Sequence, residues 1–248
     1  MLVLDALRFD AAQEQFLKGN LPCFDQYLPK EGWEKRYAPA SFTYPSHKAF
    51  FAGFLPTKTN TRITPRLFAT AFQGSESTTQ NTFTFEENDF ITALRNRGYS
   101  TNCIGGVGFF NKQTKISQEF PNLFEESIWL EELGVTEKNS TEHQFNLAKE
   151  WLKEMENKFC LYINVSAIHQ PNYFYIREEK KDDLESHAAA LRYVDSQLPI
   201  LMDAVKAKGK CFCVFCSDHG SAYGEGGHWG HRNGHSTVME VPYSHFEI

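Results

Sequence analysis

The amino-acid sequence predicts an α/β fold, a three-layer α/β/α sandwich built on a mostly parallel sheet. Short apolar runs alternate with longer segments that carry apolar residues at helical spacing. This alternation is typical of parallel sheets that helices cover on both faces. A length of 248 residues suits one such core, and no repeat or linker divides the chain. We therefore expect a single domain over residues 1–248.

The elements follow from the two periodicities. The predicted strands are the apolar runs 1–4, 99–104, 159–165 and 211–215, and the predicted helices are 89–97, 142–156 and 184–206. One further segment, 57–84, is polar and rich in Thr, Ser and Gln. We expect this segment to form a loop-like excursion over one end of the sheet, close to the functional site.

Composition excludes several classes of partner. The net charge is -6 and there is no block of Lys or Arg, which argues against a nucleic-acid polymer. No apolar stretch is long enough to span a membrane, and the chain opens on a core strand rather than a signal peptide. The six cysteines form no disulfide or metal pattern, which indicates reduced thiols and a cytoplasmic location. Met1 lies so close to the first strand that the natural start could lie a few residues upstream.

Polar or glycine residues follow each predicted strand at its carboxyl end. Asp5 follows the first strand and Gly105-Gly106 the second. His169 comes after the third strand, and Asp218-His219 after the fourth. In open α/β sheets the ligand crevice lies beyond the carboxyl ends of the strands. We therefore expect these residues to converge on one site.

The pair Asp218-His219 supplies a carboxylate and an imidazole from adjacent positions, and Gly220 permits a tight turn. Together with Asp5 the pair forms a three-ligand set that suits zinc or manganese and leaves a coordination position open. The alternative interpretation is a turn that caps a following helix. From the pair alone, the two interpretations carry equal weight.

The segment that follows is rich in both glycine and histidine. Residues 224–235 contain five glycines together with His228, His231 and His235. Glycine at this density lets the backbone fold closely around a ligand. Because surface loops are rarely so rich in histidine as well, we interpret 224–235 as a binding loop.

A rigid turn near residue 45 carries two hydroxyl groups. Pro45 restricts the backbone between Thr43 and Ser46. A hydroxyl held at a metal ion can lose its proton and attack an ester. The alternative is a Ser or Thr cap of the helix that includes residues 48–52. Thr43 could also be the nucleophile while Ser46 caps that helix.

Taken in order, these segments resemble the motifs of the alkaline phosphatase and sulfatase superfamily, in particular its short bacterial sulfatase-like members. Residues 4–10 resemble the opening strand with its metal-binding Asp, and 43–47 with 51–56 the nucleophile turn. Residues 217–220, 224–225 and 229–231 resemble the closing metal motif, and 167–171 the His-x-Pro element that holds the substrate anion. The resemblance covers nearly the whole chain.

The resemblance implies a role for each residue. Asp5, Asp218 and His219 would bind the metal, with the Thr43 hydroxyl as a further ligand. Thr43 would be the nucleophile and would form a phosphothreonine intermediate. His169 and His231 would hold non-bridging oxygens or protonate the leaving group.

Departures from the family pattern indicate which ester is cleaved. Sulfatases need Cys or Ser at the position of Thr43, an Arg at that of His47, and commonly a Lys at that of His231. These differences favour a metal-dependent hydrolase of phosphate mono- or diesters. The alternatives are transfer of the phosphoryl group to an acceptor alcohol, hydrolysis of sulfuric esters, or a catalytically silent relative that binds a metal or an anion.

The resemblance also bears on the number of metal ions. Two-metal members place both an Asp and a His near the third strand, whereas 164–169 supplies only His169. We therefore expect one tightly bound zinc or manganese ion. A second ion could bind weakly at His169 and His231, with His228 or His235. Asp182 or Asp183 would supply the missing carboxylate. We expect the partner to be a small anionic ester, and leave the oligomeric state open.

Overall fold

The computed structural model describes residues 1–53, 66–71, 78–155, 158–176 and 181–248. Its centre is a seven-stranded sheet with the strand order β2-β11-β8-β1-β7-β5-β6. These strands are β1 (Leu2–Leu4), β2 (Glu34–Tyr37), β5 (Ser100–Ile104), β6 (Glu126–Ile128), β7 (Phe159–Val165), β8 (Phe212–Cys216) and β11 (Glu240–Glu247). Two two-stranded sheets join β3 (Phe68–Thr70) to β4 (Phe83–Phe85) and β9 (Ala222–Tyr223) to β10 (Trp229–Gly230).

The central sheet is mostly parallel, as predicted. Strand β1 lies between β7 and β8 and is parallel to both, and β5 is parallel to β6 and β7. Only β11 breaks the pattern, since it pairs antiparallel with β8 and with β2. All four predicted strands are present, each within one or two residues of its predicted bounds.

Two apolar clusters lie on opposite faces of the sheet. Leu2 and Leu4 point into one cluster and Val3 into the other, because successive residues of a strand face opposite sides. The helices are α1 (Phe9–Leu17), α2 (Thr43–Phe51), α3 (Phe90–Asn96), α4 (Lys115–Gln118), α5 (Ser140–Glu154), α6 (Leu184–Lys208) and α7 (Ser236–Met239). Residues of α5 and α6 enter the first cluster, and residues of α2 and α3 the second. The three-layer α/β/α prediction is confirmed.

The excursion predicted over 57–84 is partly wrong. Its described part, 66–71 and 78–84, includes β3 and the start of β4, which pair in parallel. Phe68 stacks on Phe90 of α3, with ring centroids 4.7 Å apart. Phe68 also shares a cavity with Met1, which directly precedes β1, and with Phe159, the first residue of β7. This part therefore lies at the amino end of the sheet rather than near the predicted site. The rest of 57–84 lies outside the described residues.

No helix in the described ranges combines the length and the apolar character needed to cross a bilayer.

A close backbone approach joins the turn after β8 to helix α7, which directly precedes β11. The Gly220 N–H donates to the Val238 carbonyl oxygen at 2.7 Å. A Cβ at Gly220 would lie 2.0 Å from the Thr237 carbonyl oxygen, which is far inside the van der Waals distance. Only glycine therefore lets the turn that carries Asp218-His219 pack against α7 at this distance.

Gly220→Ala should lower the free energy of unfolding by about 1–3 kcal/mol, because the added methyl group must displace backbone atoms. Gly234→Ala is the matched control, since a Cβ there meets no heavy atom within 4 Å. Chemical denaturation of both variants measures the difference. Equal stabilities would contradict the close approach at Gly220.

Candidate functional site

The carboxyl ends of three parallel strands bring the predicted metal ligands together. Leu4 pairs with Val165 on one side of β1, and β8 runs in register on the other. Asp5 therefore emerges beside Asp218, and His219 follows. One donor atom from each of these three residues lies within 4.8 Å of the other two, and all three side chains are buried.

One oxygen of Asp5 is used by a neighbouring amide. Asn164, on β7, donates from Nδ2 to Asp5 Oδ2 at 2.8 Å. The Asn164 amide cannot be turned around, because its Oδ1 accepts from the Val107 backbone N–H at 3.0 Å. Asp5 Oδ1 is buried and has no hydrogen-bond partner. Only this second oxygen is available to a ligand.

Asp218 is arranged in the same way. Its Oδ1 accepts from the backbone N–H groups of Ala6 at 3.2 Å and of His219 at 3.1 Å. Ala6 adopts a left-handed backbone with φ 64°, which costs a non-glycine residue about 1 kcal/mol and aims its N–H at Asp218. Asp218 Oδ2 is buried without a hydrogen-bond partner.

His219 presents a lone pair to both free oxygens. Its Nδ1 lies 2.9 Å from the Gly220 carbonyl oxygen, which can only accept, so Nδ1 carries the proton and Nε2 does not. Nε2 lies 3.6 Å from Asp5 Oδ1 and 3.6 Å from Asp218 Oδ2. The Thr43 hydroxyl lies 3.2 Å from the same nitrogen.

These donor atoms fit a divalent metal ion. Asp5 Oδ1, Asp218 Oδ2 and His219 Nε2 are the atoms left free, and two buried carboxylate oxygens without partners are costly unless a cation lies between them. Burial, followed by the nearby Asp218 charge, raises the pKa of Asp5 to about 6, and burial raises the pKa of Asp218 to about 7. A set of two carboxylates, one imidazole and a hydroxyl suits zinc or manganese. The helix-cap interpretation of Asp218-His219 is wrong, because the next element is strand β9.

Thr43 begins helix α2 instead of capping it. The N-cap residue is Phe42, and no side chain caps this helix. Ser46 Oγ donates to the Ala40 carbonyl oxygen at 3.1 Å, so the predicted cap at Ser46 is wrong as well. Buried His47 donates from Nδ1 to the Thr43 carbonyl oxygen at 2.8 Å and so holds the first turn in place.

His169 and His231 lie beside the predicted metal ligands. The ring centroid of His231 is 5.5 Å from that of His169 and 4.7 Å from that of His219. Burial, followed by the charges of His219 and His169, lowers the pKa of His231 to about 3. His231 is therefore a neutral imidazole at neutral pH, able to donate one hydrogen bond.

The residues suggested for a second metal ion have other contacts. His228 and His235 lie against each other with ring centroids 5.4 Å apart. His235 caps α7, and its Nδ1 accepts from the Thr237 backbone N–H at 3.3 Å. Asp182 Oδ1 accepts from two backbone N–H groups of a loop, and Asp183 caps α6. Among the described residues, the only group with metal-ligand spacing is Asp5, Asp218 and His219.

Sequence reasoning missed two residues of the site. The sequence pattern shows Asn164 only as a position without the Asp of two-metal members, although its side-chain amide orients Asp5. Arg232 donates its backbone N–H to the Ser41 carbonyl oxygen at 2.8 Å, two residues before Thr43. The position of Asn164 near the end of β7 was a usable signal, whereas nothing in the sequence pairs Arg232 with Ser41.

A family model described as Sulfatase matches residues 26–243 of the chain. The chain belongs to the sulfatase family. The resemblance to the alkaline phosphatase and sulfatase superfamily is thus confirmed, and enzymes of that superfamily hydrolyse or transfer sulfate or phosphate esters. None of the curated protein sequences compared with the chain matches it significantly.

Several solved structures share the fold of this sulfatase-family chain. The C-terminal periplasmic domain of phosphoethanolamine transferase EptC from Campylobacter jejuni is 14% identical, with a TM-score of 0.62 over 99% of this chain and 77% of that one. The corresponding EptC domain from Escherichia coli in complex with zinc is 13% identical, with a TM-score of 0.60 over 98% and 70%. An alkaline phosphatase superfamily protein from Vibrio parahaemolyticus is 14% identical, with a TM-score of 0.54 over 98% and 58%.

Asp218→Asn should stabilise the metal-free protein at pH 8 while removing its response to metal. The pKa of Asp218 is raised from 3.8 to about 7, so the folded protein binds the proton more tightly than the unfolded chain. Stability of the metal-free protein therefore falls as pH rises from about 4 to 7, and the amide avoids a cost of roughly 1–3 kcal/mol at pH 8. Melting curves in chelator at pH 5 and pH 8 measure the effect. A less stable variant at pH 8 would contradict it.

Asn164→Ala should weaken metal binding by about 10- to 100-fold, because Asp5 Oδ2 loses the amide that orients the carboxylate. Asn146→Ala is the control, since Asn146 is an exposed residue of α5 that donates to the Glu142 carbonyl oxygen. Competition with a chelator of known affinity measures both variants. Affinities within threefold of wild type in both variants would show that Asn164 does not orient Asp5.

Proposed function

We propose that the protein is a metal-dependent enzyme that cleaves phosphate mono- or diesters through Thr43. The observation that carries the proposal is the position of the Thr43 hydroxyl. It lies 3.2 Å from His219 Nε2, beside the two free carboxylate oxygens of Asp5 and Asp218. A nucleophile and a complete set of free metal donors therefore meet at one buried point.

The residues divide into those that hold the metal and those that handle the ester. Asp5, Asp218 and His219 would hold a divalent cation, which lowers the pKa of the Thr43 hydroxyl and offsets the negative charge of the ester. His231 is neutral and donates an N–H hydrogen bond to a non-bridging oxygen. This role suits its low pKa better than protonation of the leaving group.

The reaction proceeds in two displacements. Thr43 Oγ1 forms a bond to phosphorus while the bond to the leaving oxygen breaks, and the hydroxyl proton passes through solvent to that oxygen, which leaves as the alcohol. Water then attacks the phosphothreonine, the bond between phosphorus and Oγ1 breaks, and Thr43 regains a proton. The helix start at Thr43 holds Oγ1 in place for both displacements.

The surroundings of His47 support phosphoryl over sulfuryl chemistry. Five aromatic rings surround this buried imidazole, those of Phe50, Phe51, Phe110, Phe120 and Tyr162. Burial lowers the pKa of His47 to about 3, so it is uncharged at neutral pH. In the family pattern, the members that hydrolyse sulfuric esters have an arginine cation at the position of His47. With Thr43 in place of Cys or Ser, this difference favours a phosphate ester.

Transfer to an acceptor alcohol is the second candidate. One of the structural neighbours described above, from Campylobacter jejuni, is a domain of a phosphoethanolamine transferase. The same phosphothreonine can pass its phosphoryl group to an alcohol instead of water. Transfer differs from hydrolysis only in whether an alcohol or a water molecule attacks the phosphothreonine first.

The metal, the partner and the location also belong to the proposal. Zinc or manganese suits the mixed oxygen and nitrogen donors, and a neighbour was solved in complex with zinc. A small anionic ester remains the expected partner, because a bound metal ion would offset its charge, whereas the acidic chain has no block of Lys or Arg for an anionic polymer. All six cysteines are free, which supports the cytoplasmic location.

Thr43→Ala should lower kcat/KM for p-nitrophenyl phosphate by about a thousand-fold or more, because the covalent route is lost. Acid quenching of wild type followed by mass spectrometry should find a phosphoryl group on Thr43. Ser46→Ala is the control, because Ser46 Oγ donates to the Ala40 carbonyl oxygen instead of facing the site. This variant should keep nearly the activity of wild type. Activity of Thr43→Ala within tenfold of wild type would exclude Thr43 as the nucleophile.

The same assay separates the alternatives. Faster release of p-nitrophenol with an added alcohol, together with a phosphorylated alcohol product, identifies transfer. Cleavage of p-nitrophenyl sulfate alone identifies sulfuryl chemistry. A protein that binds zinc or manganese tightly, yet cleaves none of the esters, is the silent relative.

A further inference from the structure

Arg232 lies at the edge of the candidate site in a fixed position. Its backbone N–H donates to the Ser41 carbonyl oxygen at 2.8 Å, and its guanidinium carbon lies 5.2 Å from the ring centroid of Phe42. Both contacts are made to the two residues that precede Thr43. The side chain is exposed, so solvent and ligands can reach the guanidinium group.

The backbone of Arg232 is also in an unusual conformation. Its φ of 69° lies in the left-handed region, which costs a residue other than glycine about 1 kcal/mol or more. Glycines occur on both sides, at Gly230 and Gly234, but not at this position. The charged side chain of Arg232 therefore starts from a strained turn and lies on the ring of Phe42, the residue before Thr43. Strain of this kind commonly marks a residue that positions a ligand.

Arg232 has no carboxylate partner among the residues that the structure describes. Two other basic residues near the site differ in this respect, since Arg8 pairs with Asp10 and Glu225, and Lys48 pairs with Glu119. Arg232 nevertheless lies close to the site, because it directly follows His231, whose ring centroid is 4.7 Å from that of His219.

The charges of the site explain what an unpaired arginine can add. The carboxylates of Asp5 and Asp218 carry two negative charges, which a divalent cation cancels. A phosphodiester brings one negative charge and a phosphomonoester nearly two above pH 6. The second charge of a monoester needs a further cation, and a guanidinium group binds phosphoryl oxygens in a fork.

We propose that Arg232 binds the doubly charged phosphoryl group and selects phosphomonoesters over phosphodiesters. This inference rests on the proposed phosphoesterase function and names the substrate class of that site. The guanidinium group lies on Phe42, from where it reaches the oxygens of a phosphoryl group seated next to Thr43. Arg232 makes this contact with the ester directly and determines specificity.

Arg232→Gln should lower kcat/KM for p-nitrophenyl phosphate by about 10- to 100-fold, since a hydrogen bond between charged groups is lost. The change for bis(p-nitrophenyl) phosphate, which has the same leaving group and one charge, should stay below about threefold. Arg232→Lys should recover part of the loss, because the charge returns without the fork. The inhibition constant of inorganic phosphate should rise in the same order.

Arg97→Gln is the matched control. Arg97 is likewise an exposed arginine whose guanidinium carbon lies over a phenylalanine ring, 4.7 Å from the centroid of Phe83, away from the site. The kcat/KM of Arg97→Gln for both esters should equal that of wild type. Melting temperatures of all variants show whether each one folds, and Arg232→Lys carries the test if Arg232→Gln does not.

The deciding quantity is the kcat/KM for the monoester divided by the kcat/KM for the diester. If this ratio is the same in Arg232→Gln and wild type, the inference is overturned, even when kcat/KM falls for both esters. Phosphate binding adds a readout that needs no turnover. If wild type cleaves neither ester, the proposed function fails. In that case, calorimetric titration of the metal-loaded protein with inorganic phosphate still tests Arg232. Equal affinity in wild type and Arg232→Gln then overturns this inference as well.

Discussion

Two carboxylates that face each other inside the protein are the constraint on which the rest of the site depends. Asp5 and Asp218 are both fully buried, and each has one oxygen without a partner. Burial raises the pKa of both groups, and the Asp218 charge adds to the effect on Asp5. In the metal-free protein this arrangement opposes folding at neutral pH. A cation between the two oxygens reverses the sign of that contribution.

The surroundings of the two carboxylates fix which oxygens stay free. Asn164 holds one oxygen of Asp5, and the N–H groups of Ala6 and His219 hold one oxygen of Asp218. The remaining oxygens turn toward His219 Nε2. Such outer contacts orient metal ligands and tune their basicity. A loop contact completes the enclosure, because buried Arg8 pairs with Glu225 of the segment 224–235.

Short polar strands limited what could be predicted of the fold. The four predicted strands are the most apolar ones and lie inside the sheet, where both faces are covered. Strands β2 and β6 have four and three residues, at the two edges, and show no strong periodicity. Strand β11 was missed because its run includes Pro242 and polar residues. Strand β11 takes its place in the sheet by pairing with β8 and β2. That pairing depends on residues that are far apart in the sequence.

The α/β class, the central strands and the candidate metal-ligand set could be predicted from the sequence, because apolar periodicity and position after a strand are local properties. Asp5, Asp218 and His219 could be named as candidate metal ligands, since the carboxyl ends of parallel strands meet. Tertiary structure alone decided which oxygen of each carboxylate is free, that Asn164 faces Asp5, and that Arg232 lies beside Thr43. Those contacts depend on strand register and loop closure between residues that are far apart in the sequence, 159 positions in the case of Asp5 and Asn164. No local pattern encodes such distances.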